Sequence, residues 1–535
     1  MSLNPSSRGK SRTTNYEKET AYKKDARVEL YTMMLTGIND KFYESGQEQI
    51  DRLRSLLGLC EPEFVAKLCV YARTKGHMRT APIVLLVEFI KSLKNRPAEY
   101  KHLIAPAIAG TIQRADEVTE FLAYWSYTGA YTKGKPELNK LSSLPNQLKK
   151  GIAKAMNKFN EYNYAKYNRT HKAVTFRDAL KVVHPEPVNE KQSLLFKKIL
   201  EDKLETPETW EVKISASEGD MLKKKIAWEK LIEDKLGYMA MLRNIRNMVA
   251  SGVSISHMRK VAAKLGSEEE VLRSKQFPYR FLSAYRELQG CMQDRAMPLI
   301  MDALEDATRV SARFLPFPAE ERIACFSDTS GSMNRPVSAR SKIQFVDIGL
   351  LFSSLIVTRY RTAVCGVFGD TLEIVPVTGK DPLSTTDRLS GINVGYSTHG
   401  YLTIQHLLDN KQVMDRIFLF TDGQMYGGGF GFHRRSPQEC LSTPDVSAIM
   451  RVWVEYRKLA PEAKLYLVDL TGYHNTPLYS GGNNVTLISG WSNEVFKIIR
   501  SLETAGSVLD EVMATVLTEE PAKPEPTEKQ EEILL

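Results

Sequence analysis

Asp328-Thr329-Ser330-Gly331-Ser332 sets three oxygen-bearing side chains at alternate positions. It directly follows Arg322-Ile-Ala-Cys-Phe-Ser327, an apolar run that reads as a buried strand. Just past a strand's carboxyl end, Asp328, Ser330 and Ser332 can converge on one hard divalent cation. Magnesium suits that donor set: few protein oxygens, near-octahedral geometry, and positions left open for water or a carboxylate from a partner. By itself the D-x-S-x-S spacing also occurs in solvated strand-end turns that hold no metal. Two later segments add to it. Ile417-Phe-Leu-Phe-Thr421 is a second buried-strand run ending in Asp422-Gly423, and Ser397-Thr398 lies in a polar loop between the two.

The elements that carry these residues belong to a chain of 535 residues, too long for one core, so two or three domains are expected. Apolar residues make up 42% and charged residues 26%, a soluble globular balance. No run of 18 or more apolar residues occurs, so no membrane-spanning helix is expected. Met1–Tyr22 is polar and basic, unlike a secretory leader. Six irregularly spaced cysteines, mostly in apolar surroundings, fit free buried thiols in a reducing compartment, and the expected location is cytoplasmic. Cys60 and Cys69 are too far apart for a C-x-x-C motif. Charge is unevenly divided: residues 1–318 carry 53 Lys and Arg against 38 Asp and Glu, residues 319–535 only 20 against 26. A basic first part points to a polyanionic partner.

Residues 1–25 are poor in apolar side chains and are expected to be disordered. From residue 26 to about 310 apolar residues recur at three- and four-residue spacing with short Gly or Pro joints. Pro62–Tyr71 is an example, with Phe64, Leu68 and Tyr71 on one face. Many short helices without strands suggest stacked helix pairs, a HEAT-like solenoid, or a plain all-α globule. Phe314-Leu-Pro-Phe-Pro318 marks the expected joint. Beyond it, over 319–510, strands alternate with helices: Arg322–Ser327, Lys342–Val357, Ala363–Phe368, an antiparallel edge strand at Thr371–Val377, Arg416–Thr421, Ser447–Lys458, Lys464–Leu470 and Asn493–Leu502. That alternation means a mainly parallel, doubly wound α/β sheet, whose ligands bind at the carboxyl ends of the strands. The multidomain reading is completed by an acidic disordered tail at 511–535.

Residues 140–181 hold ten Lys or Arg and only Glu161 and Asp178 as acids, with Phe159, Tyr162, Tyr164 and Tyr167 interleaved. Phosphates need fixed cations and unpaired bases need aromatic faces, so this segment fits nucleic acid. The alternative is a solvated helical face whose rings point into the core.

The Asp328 motif with Thr398 and Asp422 resembles the metal-ion-dependent adhesion site of von Willebrand factor A domains. The resemblance implies that Ser330, Ser332 and Thr398 ligate Mg²⁺, or Mn²⁺ in its place, while Asp328 and Asp422 hold its shell. Phe176-Arg-Asp-Ala-Leu-Lys-Val-Val-His-Pro185, Leu242-Arg-Asn-Ile-Arg-Asn-Met248 and Phe277-Pro-Tyr-Arg-Phe-Leu282 resemble segments of the TROVE module. A helical TROVE part (26–318) followed by an A-type domain is the arrangement of the Ro autoantigen family, and the resemblance covers about residues 26–505. It implies a Ro-like RNA-binding protein of bacterial or phage type, part of a ribonucleoprotein, whose helical repeats close into a ring. The implied partners are Y-like RNA and structured noncoding RNA with single-stranded 3′ ends, with an exoribonuclease or another protein at the metal face and neither membrane nor DNA. Implied RNA contacts are Lys166, Arg169, His171, Lys172 and His184; Arg243 and Arg246 either line the cavity or brace a helix. Residues 1–25 and the Gly-rich stretch 426–431 have no counterpart in the family pattern.

No catalytic constellation is present. No Gly-x-Ser-x-Gly elbow surrounds Ser330, no phosphate-binding G-x-x-x-x-G-K-[ST] occurs, and His399 reads as a loop histidine. The chain is expected not to be an enzyme. The rival to RNA binding is an adaptor that bridges proteins through its helical and α/β parts.

Overall fold

The computed structural model describes residues 12–517 except 19, 39–40, 42, 128–143, 169–171, 208, 218, 275, 291–294, 314, 316, 339–340, 361, 377–380, 427–446, 479–483, 491–494, 497–498 and 500–507. Short helices occupy the first three-fifths of the chain. They are α1 (Ala26–Thr36), α2 (Gly46–Leu59), α3 (Pro62–Thr74), α4 (Thr80–Ser92), α5 (Ile104–Thr111), α6 (Ala115–Ser126), α7 (Asn146–Met156), α8 (Glu161–Tyr167) and α9 (Phe176–Val183). After them come α10 (Glu190–Leu200), α11 (Trp210–Ser215), α12 (Met221–Glu233), α13 (Tyr238–Ala250), α14 (Ile255–Gly266), α15 (Glu268–Ser274), α16 (Pro278–Gln289) and α17 (Met297–Ala312). No helix among the described residues is long and apolar enough to cross a membrane.

By packing, the chain divides into two compact units, one within residues 1–49 and 219–509, the other within 50–218 and 510–535. In the second unit α3 begins with Pro62 in its first turn and buries Phe64, Leu68 and Tyr71, the face its spacing indicates. α5 lies so close to α7 that a Cβ on Gly151 would meet Ile108 Cβ at 2.9 Å and Ala105 Cα at 3.0 Å. The carbonyls left over at the end of α5 are met by buried Lys158, whose Nζ donates to Ala109 O and, at 2.9 Å, to Ile112 O.

The first unit contains the sheet. Its strands are β3 (Ile323–Asp328), β4 (Val364–Phe368), β5 (Leu372–Ile374), β6 (Arg416–Thr421), β7 (Lys464–Asp469) and β9 (Val485–Ser489), ordered β5-β4-β3-β6-β7-β9 with only β5 antiparallel. Every residue of β3 and β6 is buried because helices cover both faces. Ala324, Phe326, Ile417 and Leu419 pack with α20 (Tyr401–Asp409) and α21 (Ala448–Leu459). On the other face Ser327 Oγ lies 2.8 Å from Ser353 Oγ, and Phe420 packs on Phe352, both on α18 (Phe345–Arg359). Cys60, Cys69, Cys325 and Cys365 are buried and form no disulfide among the described residues.

Several sequence expectations change. Residues 1–25 are not all disordered: β1 (Arg12–Thr14) and β2 (Thr20–Lys23) form a hairpin that continues onto β8 (Asn475–Thr476), pairing Tyr22 with Thr476. A polar segment with few apolar side chains is ordered here because a strand edge elsewhere in the chain receives its backbone. The tail expected to begin at 511 starts inside a helix, α22 (Val508–Met513), where Tyr71 Oη donates to Glu511 and Lys67 Nζ to Met513 O. Residue 318 is where helices give way to strands, yet α12–α17 pack in the same unit as the sheet. Arg286 pairs with Asp347 and Asp387, and Glu305 caps α19 (Pro382–Ser390) by accepting from the Leu383 and Ser384 amides. Such polar cross-links leave no periodic trace. The 427–431 part of the Gly-rich stretch and most of the expected helix 493–502 lie outside the described residues.

Candidate functional site

β4 lies on one side of β3 and β6 on the other, so the winding of the sheet reverses between β3 and β6. The crevice beyond the carboxyl ends at such a reversal is where open α/β sheets bind ligands. Asp328 ends β3 and Asp422 follows β6, which brings them side by side at that point. Two links draw the Thr398 loop to the same edge: Gly331 N donates to Tyr396 O at 3.0 Å, and Tyr426 N to Thr398 O at 2.8 Å. Asp328, Ser330, Ser332, Thr398 and Asp422 are all at most 6% exposed.

Each oxygen has an assignable task. Asp328 accepts from Ser330 N at 2.9 Å and from Thr421 Oγ1 at 2.6 Å, so both its oxygens are used to hold the loop and the neighbouring strand. Ser330 Oγ and Ser332 Oγ stand 3.2 Å apart. Oxygens bound at about 2.1 Å to an octahedral Mg²⁺ stand about 3 Å apart, so this pair fits adjacent coordination positions. Asp422 accepts from Gln424 N at 2.9 Å through Oδ1, while its buried Oδ2 has no hydrogen-bond partner among the described residues. An unpaired buried carboxylate oxygen beside two hydroxyls calls for a cation.

Electrostatics agree. Burial pushes Asp328 up to about 6 against the pull of its Ser330 and Thr421 hydrogen bonds. Burial, and then the charge of Asp328, push Asp422 up to about 8, with Ser332 and the Gln424 amide opposing. Two buried carboxylates thus share one pocket and repel each other until a positive charge joins them. Among the described residues no group of three or more His, Cys, Asp and Glu could hold a metal. A cation at this edge would be held by hydroxyls and the free Asp422 oxygen, a hard donor set suited to Mg²⁺ or Mn²⁺.

Residues that sequence reasoning passed over complete the edge. Thr421 fixes Asp328. Asp469, ending β7, is a third carboxylate there, already neutralised by buried Lys24 at 2.5 Å, while its other oxygen accepts from the Thr471 and Gly472 amides. Asn15 donates to Met425 O at 2.6 Å, and Tyr16 N donates to Gln424 Oε1 at 3.0 Å. His399 Nδ1 lies 3.0 Å from Asp370 O and its ring stacks on Tyr426, which makes it a buttress of the loop. The only signal for these contacts was a run of aspartates at successive strand ends.

The basic segment sorts into two classes. Phe159, Tyr164 and Lys158 are buried; Tyr164 donates to Met156 O at 2.7 Å and packs edge-on against Phe159 and Phe176. For these rings the core reading holds. Lys166 lies 5.7 and 5.9 Å from the half-buried rings of Tyr162 and Tyr167, and Lys150, Lys181 and His184 are exposed. His184 ends α9 in a left-handed conformation, φ 51°. Lys172 donates to Thr119 Oγ1 at 3.1 Å. Arg169 and His171 lie outside the described residues. Arg243 and Arg246 are exposed on α13, in the other unit, and Arg246 is paired with Glu287 at 2.9 Å.

The family model of the TROVE domain matches residues 11–202 and 200–342. Over 100 residues the chain is 40% identical to telomerase protein component 1 of Mus musculus and 39% identical to that of Rattus norvegicus, covering 18% of this chain and 4% of each relative. RNA-binding protein RO60 of Caenorhabditis elegans is 23% identical over 263 residues, 47% of this chain and 40% of that protein. The chain therefore spans well under two thirds of the length of these relatives. The crystal structure of the Deinococcus radiodurans RO (RSR) protein aligns with a TM-score of 0.56 at 14% identity, over 93% of this chain and 100% of that one, a likeness of fold.

Proposed function

This chain is a Ro-like member of the TROVE-domain family, and from that premise we propose that it is an RNA-binding protein of a ribonucleoprotein. Its helical part takes Y-like RNA and the single-stranded 3′ ends of misfolded noncoding RNA. The observation that carries this is the surface of α8 and α9, where Lys166 stands over two half-buried tyrosine rings with exposed Lys181 and His184 nearby in sequence. Cations over ring faces serve phosphate and base together. The α/β part is read as a von Willebrand factor A-like domain that binds Mg²⁺ or Mn²⁺ through Ser330, Ser332 and Thr398 and meets a protein carboxylate there, an exoribonuclease being one such partner. The unpaired Asp422 oxygen and the spacing of the two serine hydroxyls support it. The protein acts by binding and not by catalysis, in the cytoplasm.

The test compares one structured RNA with a single-stranded 3′ tail and the same RNA with a blunt end, at near-physiological salt. Stacking of one unpaired base is worth about 1.4 kcal/mol, so the tailed RNA should bind about tenfold more tightly. Lys166→Glu with Lys181→Glu should weaken both and flatten the salt dependence. Equal affinities would refute 3′-end recognition and leave the adaptor reading, in which only total phosphate charge matters.

A further inference from the structure

We propose that the cleft between α13, α16 and the segment leading into α18 binds a phosphate monoester, of a free nucleotide or of a phosphorylated RNA end, held by Arg246, Lys342 and Ser283. The inference does not rest on the RNA surface of α8 and α9, which belongs to the other unit.

All three walls of the cleft lie in one unit. α13 and α16 pack through Tyr238 and Phe281, whose rings meet edge-on with centroids 6.4 Å apart. Arg286 ties α16 to the sheet part, pairing with Asp347 at 2.5 Å and with Asp387 at 3.3 Å. The third wall is a tight reversal: Val337 N donates to Ile343 O at 2.9 Å and Phe345 N to Arg335 O at 3.0 Å, which fixes the backbone that carries Lys342. Between these walls lies a space of about 350 Å³, with Arg246, Ser283, Arg286, Glu287, Lys342 and Ile343 in its lining. That is room for a ligand the size of a nucleotide.

Arg286 is engaged by its two aspartates, so three other side chains set the charge that faces the cleft. Arg246 Nη1 donates to Glu287 Oε2 at 2.9 Å, and Lys342 Nζ donates to Glu287 Oε1. Two cations thus share one carboxylate, and one positive charge is left over. Among the described residues the remaining N–H groups of Arg246 and Lys342 and the Ser283 hydroxyl have no partner. The side chains of Arg246 and Lys342 are 62% and 79% exposed, so these donors are presented to solvent. Arg243, exposed one turn earlier on α13, adds to the same field. The hydrogen bond from Lys342, with Arg246 adding to it, holds the Glu287 carboxyl below its ordinary value, so Glu287 stays ionised and competes with any incoming anion. A second carboxylate or a phosphodiester brings the same single charge and gains nothing over Glu287. A phosphate monoester brings a charge of about −1.5 to −2 and three acceptor oxygens, two of which a guanidinium fork grips at once.

The experiment uses the full chain as wild type, as Arg246→Ala with Lys342→Ala, and as Glu287→Gln. Calorimetry follows adenosine 5′-monophosphate, and fluorescence anisotropy follows one single-stranded RNA with and without a terminal phosphate. The double variant should lose affinity for the monoester about tenfold or more, whereas Glu287→Gln, which removes the competing charge, should gain about threefold. Thermal melts of the three proteins show that each is folded. Mononucleotide binding that falls in the double variant and rises in Glu287→Gln supports the site with a free nucleotide as its source. A preference for the phosphorylated RNA that follows the same two changes supports it with an RNA end as the source. No mononucleotide binding together with equal affinity for the two RNAs overturns the site, as does binding that neither variant alters. The unphosphorylated RNA reads general RNA binding separately, so the failure of one reading is distinguishable from the failure of the other.

Discussion

Asp422→Asn separates the cost of a buried carboxylate from the gain of the cation meant to offset it. The substitution keeps an oxygen to accept from the Gln424 amide and removes the charge that Oδ2 carries without a hydrogen-bond partner among the described residues. In excess chelator at pH 9, above the value of about 8 to which burial and Asp328 push Asp422, the wild type bears the penalty of that uncompensated charge, on the order of 2 kcal/mol beyond an unpaired amide. In Mg²⁺ at a hundredfold its dissociation constant the wild type gains about 2.7 kcal/mol and the variant nothing. For a unit of this size 1 kcal/mol moves the melting temperature by about 1.4 °C. The variant should therefore melt about 3 °C above the wild type in chelator, and Mg²⁺ should remove that lead and put the wild type about 1 °C ahead. Scanning calorimetry of both proteins, in EDTA and in excess Mg²⁺, reads the swing directly. A variant that melts below the wild type in chelator, or that responds to Mg²⁺ as the wild type does, would refute the reasoning.

Lys158 offers a test away from the metal edge. Burial pushes its ammonium down to about 8 from the ordinary 10.5, so the stability linked to it is complete above the ordinary value and is lost as pH falls through about 8. Between pH 10.5 and 7.5 the stability of the wild type relative to Lys158→Met should fall by up to about 3 kcal/mol in paired urea melts; a difference independent of pH would contradict it. Glu305→Ala strips the acceptor from the Leu383 amide at 2.9 Å and the Ser384 amide at 2.8 Å and should cost about 1–2 kcal/mol, with the first turn of α19 exchanging its amide protons faster.

Much of the α/β part can be read from residues alone, because parallel strands covered on both faces must be apolar throughout. Ile323–Asp328 and Arg416–Thr421 stand out for that reason, and a parallel sheet necessarily puts Asp328 and Asp422 on the same edge. The antiparallel edge strand at Leu372–Ile374 and the helix at Phe345–Arg359 were legible on the same logic of alternation. The basic segment was legible only as charge. Whether Tyr164 fills a core or faces a base depends on how α8 meets α9 and α10, and there Phe176 and Phe196 enclose it. The hairpin was not legible at all. Tyr22 pairs with Thr476, and Lys24 with Asp469, across more than four hundred residues. Local composition reports whether a segment can bury itself, not whether a distant strand edge and a buried carboxylate await it. Sequence spacing therefore determines the donors offered at the ends of β3 and β6, whereas only the folded chain decides that a hairpin within residues 12–23 is tied to the loop just after Asp422, because backbone pairing and charge neutralisation act through space and leave no period in the sequence.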